Sequence, residues 1–212
     1  MTMTRKEMNL RVFRGDPLPQ VFFQPRFEPW YDWHKQFGTL PEKLKGKQVH
    51  EAYDDLGASM RYVQYYTGQP EPIEQSFTDE VKVTRERDGD YMNVRVETPH
   101  GPLFQKHKFT VDKTWRTVEF FGRRAEDLPA LLWLAQRQTF SFNQEKFKQG
   151  VDYLGDRGIP QFWVPKSPYF YLAQRWMKYE DFVFALVDSA PQVKEIMKAI
   201  DDSYDQMYED II

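Results

Sequence analysis

PQVFFQPRFEPW, residues 19–30, is the stretch that decides the predicted fold of this chain. A short apolar run, Val21 to Phe23, breaks abruptly into a polar segment that contains Gln24, Arg26 and Glu28. Apolar runs of this length are typical of buried strands in α/β proteins. In such proteins, ligands bind at the rim of the sheet, beyond the carboxyl ends of parallel strands. The stretch therefore predicts a buried strand that leads into a ligand site.

The residues before this stretch predict a helix and a turn. Thr4 and Glu7 form a T-x-x-E capping-box pattern, which is typical of a helix N-terminus. Gly15 is placed to end that helix, and the following Asp-Pro-x-Pro sequence has the composition of a turn. The predicted order is therefore helix, turn, strand and polar rim.

Further along the chain, predicted helices alternate with predicted strands. Short strands are expected at residues 58–65 and 159–164. Helical spacing predicts helices at residues 42–56, 126–138, 143–158, 168–177, 180–187 and 191–208. Alternation of this kind indicates an α/β protein with a parallel sheet or barrel.

One block interrupts this alternation, from about residue 73 to residue 121. Apolar and polar residues alternate there with a period of two, as in strands that bury one face. Asp88-Gly89-Asp90 separates two such runs and is a hairpin signal. The block therefore predicts an antiparallel β meander inserted between α/β units.

Composition limits the class of protein. The 212 residues suffice for one sizeable domain, and a net charge of −3 disfavours a nucleic-acid partner. No apolar run is long enough to span a bilayer, and no signal peptide follows the start, so no membrane association is expected. Because cysteine is absent, the chain cannot supply disulfides or thiolate metal ligands. We expect a cytoplasmic globular protein.

The order of these features resembles the uroporphyrinogen decarboxylase superfamily, which includes corrinoid-dependent methyltransferases and demethylases. The resemblance begins with the capped helix and the Gly15-Asp-Pro-x-Pro19 turn. It continues in EAYDDLG at residues 51–57, Thr98-Pro99-x-Gly101, Ser167-Pro168 and the helix start at residues 188–193. The superfamily folds as a (β/α)₈ TIM-type barrel, which typically needs roughly 250 residues.

The resemblance places the last predicted helix, residues 192–212, near the middle of the family's barrel. It therefore implies that residues 1–212 form a single domain. This domain would be the N-terminal portion of a partial (β/α)₈ barrel, with the β insertion at about 73–121. A partial barrel has an open sheet edge, so we expect a homo- or hetero-oligomer. The partner would be a second copy, a subunit supplying further strands or a corrinoid protein.

Five residues are predicted to bind substrate: Gln24, Arg26, Trp30, Ser167 and Tyr169. The superfamily's decarboxylases have an Arg-rich segment at the position of the first two, where it binds substrate carboxylates. This sequence keeps a single Arg there, whose planar guanidinium can still bind an anion. The rim model predicts that all five side chains lie around one cleft.

Structural roles are the alternative for two of these residues. Arg26 could form an ion pair with Glu28 or Asp32, and Ser167 could cap the helix that follows it. Trp30 could equally belong to a lid or a dimer contact.

No metal site is predicted within this chain. The four histidines, at positions 34, 50, 100 and 107, do not pair at metal-ligand spacing. The superfamily's corrinoid methyltransferases hold zinc with a His-x-Cys pair and a later Cys, and these cysteines have no counterpart here. Corrinoid and zinc would therefore belong to a completed enzyme and not to this chain alone.

Three functions follow from the resemblance. The first is part of a corrinoid-linked methyltransferase or demethylase that acts on a small methylated substrate. The alternative is a non-catalytic split or truncated family member that serves as a binding or assembly subunit. Uroporphyrinogen decarboxylation is the weakest, because one expected Arg is missing and Gln174 stands where the decarboxylases have a Tyr. No catalytic residue is assigned.

Overall fold

A computed structural model describes residues 3–212, which form two compact units. Unit 1 contains the described residues up to Pro72 together with Asn143–Trp163. Unit 2 contains Ile73–Phe142 and Val164–Ile212.

Helices and strands follow one another along the described part of the chain. The helices are α1 (Arg5–Arg14), α2 (Glu28–Gln36), α3 (Val49–Asp55), α4 (Leu128–Ala135), α5 (Gln144–Leu154), α6 (Pro168–Tyr171), α7 (Tyr179–Asp188), α8 (Ala190–Asp202) and α9 (Asp205–Ile211). The strands are β1 (Ile73–Phe77), β2 (Lys82–Asp88), β3 (Tyr91–Glu97), β4 (Leu103–Phe109), β5 (Trp115–Glu119) and β6 (Gln138–Phe142).

The predicted capping box at the start of α1 is confirmed. The Glu7 backbone N–H donates to the Thr4 hydroxyl at 3.1 Å, and the Thr4 backbone N–H donates to the Glu7 carboxylate at 2.7 Å. Gly15 ends the helix in the left-handed conformation, with φ 73°. Both ends of α1 are thus set by residues within a few positions of them.

The predicted buried strand at Val21–Phe23 is wrong. These residues have irregular backbone, and the side chains of Val21 and Phe23 are 90% and 52% exposed. Prolines at positions 19 and 25 flank the run and lack the N–H group that a strand ladder requires. A run of three apolar residues between prolines is therefore too short to pair as a strand.

Three segments of unit 1 nevertheless meet through backbone hydrogen bonds. We call them the first segment (residues 21–26), the middle segment (58–65) and the last segment (157–163). The Ser59 N–H donates to the Phe23 carbonyl at 2.8 Å, joining the first segment to the middle one. The Gln161 N–H donates to the Arg61 carbonyl at 2.8 Å, and the Val63 N–H donates to the Gln161 carbonyl at 3.0 Å. The middle and last segments therefore run parallel there.

The predicted strands at 58–65 and 159–164 are thus reduced to one parallel bridge, between Tyr62 and Gln161. Close packing holds the two segments together. A Cβ atom added to Gly158 would lie 1.7 Å from the Met60 carbonyl oxygen. Only glycine, which has no Cβ atom, fits at this position. The apolar core beside them contains Tyr31, Leu44, Val49, Ala52, Tyr53, Ala58, Met60, Val63 and Leu154.

The predicted antiparallel meander is confirmed in unit 2. Strands β2, β3, β4 and β5 pair in chain order, and each pair is antiparallel. The β2–β3 hairpin turns at Gly89 and Asp90, where Gly89 has φ 56°. The buried side chains of this sheet are Val94, Val96 and Leu103, which join the main core of unit 2.

A second sheet in unit 2 was not predicted. Strand β6 begins at the last residue of the predicted helix at 126–138 and fills the gap before the next predicted helix, and β1 pairs with it in an antiparallel register. The β1 segment belongs to the predicted meander in sequence but lies outside that sheet in space.

The predicted helix at residues 191–208 is divided into α8 and α9. The chain breaks at Ser203, whose hydroxyl donates to the Ile200 carbonyl at 2.6 Å, and at the buried Tyr204. The predicted helix at 168–177 continues beyond α6 as a π-helical turn, Leu172–Trp176. The molecule is therefore a mixed α/β protein whose sheets are antiparallel and open.

Candidate functional site

Arg26 lies at the end of the first segment and is exposed. Its Nη2 atom donates to the Tyr65 hydroxyl, and its Cζ atom lies 4.9 Å from the centroid of the same ring. The hydrogen bond to Tyr65 raises the pKa of the Arg26 guanidinium. Within residues 3–212 Arg26 forms no ion pair with Glu28 or Asp32, so that structural alternative is wrong. Arg26 is a cation held in place by an aromatic side chain.

Aromatic side chains from the other two segments pack around Tyr65. The rings of Tyr62 and Trp163 are stacked, with centroids 5.1 Å apart and planes at 22°. Tyr65 meets Trp163 edge-on, with centroids 6.4 Å apart. The Arg61 guanidinium lies over the Tyr62 ring at 4.7 Å.

These side chains converge because each lies just past a backbone contact between segments. Arg26 follows the hydrogen-bonded Phe23 carbonyl by three residues. Tyr65 and Trp163 follow the hydrogen-bonded Val63 and Gln161 by two. Side chains beyond aligned segment ends form a rim, which is where α/β proteins place their ligands. We call Arg26, Glu28, Arg61, Tyr62, Tyr65 and Trp163 the rim cluster.

Glu28 is the most unusual member of the rim cluster. It is the first residue of α2, and only 1% of its surface is exposed. Neither carboxylate oxygen has a hydrogen-bond partner among the described residues. Burial raises the pKa of Glu28, although its own backbone N–H, the Tyr53 hydroxyl and the charges of Arg61 and Arg26 all act in the opposite direction. A buried carboxylate without donors is costly and calls for a functional explanation.

Tyr53 lies beside Glu28 but its hydroxyl is already engaged. It donates to the Pro25 carbonyl at 3.0 Å and accepts from the Phe27 backbone N–H at 3.3 Å. Burial raises the pKa of Tyr53 strongly, and the negative charge of Glu28 raises it further. The Tyr53 hydroxyl also lies close enough to Glu28 to lower the pKa of that carboxyl, but its single proton serves one acceptor at a time and is shared with the Pro25 carbonyl.

Gln24 has a structural position in unit 1. Its side-chain amide donates to Asn9 at 3.1 Å and to the Ser59 hydroxyl at 3.2 Å, and Asn9 also donates to Ser59 at 2.6 Å. Asn9 and Ser59 are buried. This network joins α1 to the first and middle segments, which carry Arg26 and Tyr65 of the rim cluster.

Trp30 lies on α2 and is partly exposed. Its ring contacts Phe27, with centroids 5.2 Å apart, and His34, with centroids 4.4 Å apart. His34 in turn is hydrogen bonded to the Thr39 hydroxyl at 2.7 Å. Trp30 thus belongs to an aromatic surface along α2.

Ser167 and Tyr169 belong to unit 2, so the common cleft predicted for all five residues stays a prediction. Ser167 is exposed and stands at the N-cap position of α6, but its side chain makes no capping hydrogen bond, so the capping alternative is not confirmed. Tyr169 is half-buried against Phe182, with ring centroids 4.8 Å apart. Burial raises the pKa of Tyr169.

Sequence reasoning missed the binding potential of Glu28, Tyr62, Tyr65 and Trp163. Glu28 lies in the predicted polar rim, but its spacing predicts an ion pair with Arg26 and not a buried carboxylate. The other three lie in the segments that were predicted as the second and third strands of unit 1. Tyr65 and Trp163 lie near the ends of the predicted strands 58–65 and 159–164. Their positions at strand ends are the sequence signal that indicates a role in the same site.

Unit 2 contains a groove of about 1100 Å³ beside the meander. Its charged lining is balanced, with the cations Arg95, Lys106, Arg123 and Arg124 and the anions Glu86, Glu119, Glu126 and Asp127. Arg95 is paired with Glu97, Arg123 with Glu119, and Arg124 with Asp127. The groove therefore has no dominant charge that would select a ligand.

Residues 3–212 contain neither a membrane-spanning helix nor a recognisable metal-binding group. No helix there has the length and apolar character needed to cross a membrane. No group of three or more His, Asp or Glu side chains in that range is arranged to hold a metal ion. Comparison of the chain with protein-family models, with curated proteins and with solved structures returned no match.

Proposed function

We propose that this chain is a partial (β/α)₈ barrel, the N-terminal portion of the barrel of the uroporphyrinogen decarboxylase superfamily. We further propose that it acts in the cytoplasm in a corrinoid-linked methyltransferase or demethylase whose substrate is a small methylated compound. The rim cluster would bind that substrate. Ser167 and Tyr169 stay predicted substrate-binding residues, and a second subunit or a corrinoid protein would be the macromolecular partner.

The convergence of Arg26, Tyr65 and Trp163 carries this proposal. The three come from separate segments that are aligned by backbone hydrogen bonds, one pair of them in parallel. Each lies just past the aligned positions, as ligand-binding residues do in barrels. The arrangement supports a barrel rim even though the segments are too short to form a regular sheet.

The side chains suit a small anionic or polar substrate with an apolar part. Arg26 uses one donor on Tyr65 and has further N–H groups in its planar fork. Trp163 is half exposed, so its ring offers apolar surface to a methyl-bearing group. Together they would orient a substrate at the rim.

The metal chemistry of the superfamily does not fit this chain. A zinc site of the His-x-Cys and Cys kind requires thiolates, and the sequence contains none. Zinc and corrinoid would be held by a partner polypeptide, and we assign no step through them to these residues.

Ligand titration of the purified chain tests the role of Arg26. Small methylated carboxylates are titrated by calorimetry into the wild type, Arg26→Gln and the control Arg124→Gln from the unit 2 groove. We expect binding to weaken at least about tenfold in Arg26→Gln and to stay unchanged in the control. Equal affinity in all three proteins would remove the basis for a rim site.

Methyl transfer is measured separately, with methylcobalamin and a small thiol, from the absorbance of the corrinoid. We expect no turnover by the chain alone and turnover when a partner supplies the thiolate ligands. Transfer by the chain alone would contradict the assignment of the metal to another polypeptide. If no partner restores transfer to a chain that binds its ligand, the methyltransferase assignment is wrong.

A non-catalytic binding or assembly subunit is the second candidate. An exposed apolar face on α7, formed by Tyr179, Val183, Phe184 and Val187, favours it. An assembly subunit would associate equally well after substitution of Arg26, because it needs no substrate. Uroporphyrinogen decarboxylation remains the weakest candidate: Gln174, at the position of the expected Tyr, accepts a hydrogen bond from Lys166.

A further inference from the structure

We propose that Arg26 and Glu28 are the two poles of a binding site for a small zwitterion, an amino-carboxylate of the amino-acid type. The ligand carboxylate would bind Arg26, and its ammonium N–H groups would bind Glu28. This inference deepens the proposed function, on which it rests, by naming the class of substrate.

Glu28 supplies the first reason. Its carboxylate is almost fully buried, and neither oxygen accepts a hydrogen bond within the described part of the chain. Native proteins rarely leave such a group without donors, because no hydrogen bond then offsets the free-energy cost of removing the charge from water. An ammonium group would supply both the missing donors and the opposite charge.

Arg26 supplies the second reason. Tyr65 holds its guanidinium by one hydrogen bond and by the ring beneath it. The rest of the side chain is exposed. A guanidinium has five N–H donors in a planar fork that matches a carboxylate, so Arg26 is prepared for such a ligand.

The balance of charge decides between ligand classes. Arg26 and Arg61 both act electrostatically on Glu28, yet neither forms an ion pair with it among residues 3–212. A purely anionic ligand would bind the arginines and leave Glu28 unsatisfied. A purely cationic ligand would satisfy Glu28 but would be repelled by two arginines. Only a ligand with both charges satisfies each pole.

The aromatic side chains favour a methylated ammonium within this class. Tyr62 and Trp163 form a stacked pair next to the two arginines, and Trp163 is half exposed. Methyl groups on a cationic nitrogen spread the positive charge over a surface that packs well on aromatic faces. N-methylglycine, which retains N–H donors for Glu28, is therefore a suitable probe.

The test is calorimetric titration with four probes: N-methylglycine, glycine, acetate and methylammonium. We expect N-methylglycine and glycine to bind at least about tenfold more tightly than acetate or methylammonium, because only the zwitterions use both poles. Glu28→Gln and Arg26→Gln should each weaken zwitterion binding at least about tenfold. The matched control is Asp32→Asn, one turn further along α2, which should bind as the wild type does.

Three results would overturn the inference: acetate binding as tightly as N-methylglycine, unchanged affinity in Glu28→Gln, or no binding of either zwitterion. Circular dichroism and thermal melting of each variant show that it is folded. The titration needs neither corrinoid nor zinc, so it separates the two proposals. Zwitterion binding without methyl transfer would sustain the site and contradict the methyltransferase function. Transfer from an uncharged methylated compound, without zwitterion binding, would contradict the site alone.

Discussion

At the scale of single residues, the rim cluster combines groups that are costly to the fold with groups that hold them in place. Glu28 is buried without donors, and Arg26 is positioned by Tyr65. Proteins retain such unfavourable groups mainly at functional sites, where the cost is repaid on ligand binding. Stability and binding should therefore respond in opposite directions to a substitution at Glu28.

We predict that Glu28→Gln stabilises the free protein at neutral pH. Burial raises the pKa of Glu28 above its ordinary value of 4.5, so the folded state binds the proton more tightly than the unfolded state does. Wild-type stability should fall as the pH rises from 4.5 through the raised pKa, and the penalty should be fully present above it. The gain in Glu28→Gln should reach about 1–3 kcal/mol at neutral pH and vanish near the ordinary pKa.

Urea denaturation at several pH values measures this difference, with Asp32→Asn as the control that should change little. A Glu28→Gln protein that is less stable than the wild type at every pH would mean that Glu28 stabilises the fold. The buried carboxylate would then not be unfavourable in the free protein, and ligand binding would have no such free energy to offset.

Tyr65→Phe separates the two ways in which Tyr65 holds Arg26. The substitution keeps the ring under the guanidinium and removes only the hydroxyl that accepts from Nη2. We expect the affinity for N-methylglycine to fall about three- to tenfold, with little change in stability because the pair is exposed. Calorimetry measures it, and Tyr208→Phe on the exposed tyrosine of α9 is the control. Equal affinities in the two variants would show that the hydroxyl does not position Arg26.

At the scale of elements, unit 1 aligns its segments by close packing more than by strand pairing. Gly158 in the last segment contacts the Met60 carbonyl, and Gly150 on α5 packs against Val63. A Cβ at position 150 would lie 2.5 Å from the Val63 Cβ atom. The middle segment is thus held between two glycine contacts, and its position sets those of Tyr62 and Tyr65.

We predict that Gly158→Ala destabilises the protein by about 3 kcal/mol or more, since its Cβ would meet backbone that cannot move aside without breaking the segment alignment. Gly57→Ala is the matched control: it lies in open space with φ 62° and should cost only about 1 kcal/mol from backbone strain. Chemical denaturation gives both values. If the two variants lose the same stability, the contact with Met60 is not close in solution.

At the scale of the whole molecule, α7 departs from an ordinary surface helix because it exposes large apolar side chains. Phe182 and Ala185 face the core, while Phe184 and Val187 on the other side are 67% and 77% exposed. A helix that is apolar on both sides is normally covered on both. This feature fits the expected oligomer, with a second copy or another subunit as the cover.

We predict that the chain associates through this face at micromolar concentration. Light scattering after size-exclusion chromatography should show a mass above that of one chain for the wild type. The double substitution of Phe184 and Val187 by Ser should give a monomer with unchanged melting temperature, because both side chains are exposed. Val111→Ser, at a residue that is 92% exposed in a loop, is the control. A wild-type monomer would contradict the prediction.

Elements whose signals are local were predictable from sequence. The caps of α1 and the N-cap of α5, where Asn143 accepts from the Lys146 N–H, depend on residues three positions apart. The β2–β3 hairpin follows from one glycine turn between two alternating runs. The elements missed, β6 and the break between α8 and α9, depend on partners that are distant in sequence.

The sequence alone therefore determined both ends of α1, the start of α5, the hairpin, the mixed α/β class and the position of Arg26 at the end of a segment. Tertiary structure alone decided that Arg26 meets Tyr65, 39 residues away, and that Glu28 is buried without donors. It also decided that Val21–Phe23 remains outside any regular strand. The physical reason is that caps and turns are satisfied by neighbouring residues, whereas burial and side-chain pairing depend on which distant surfaces pack together.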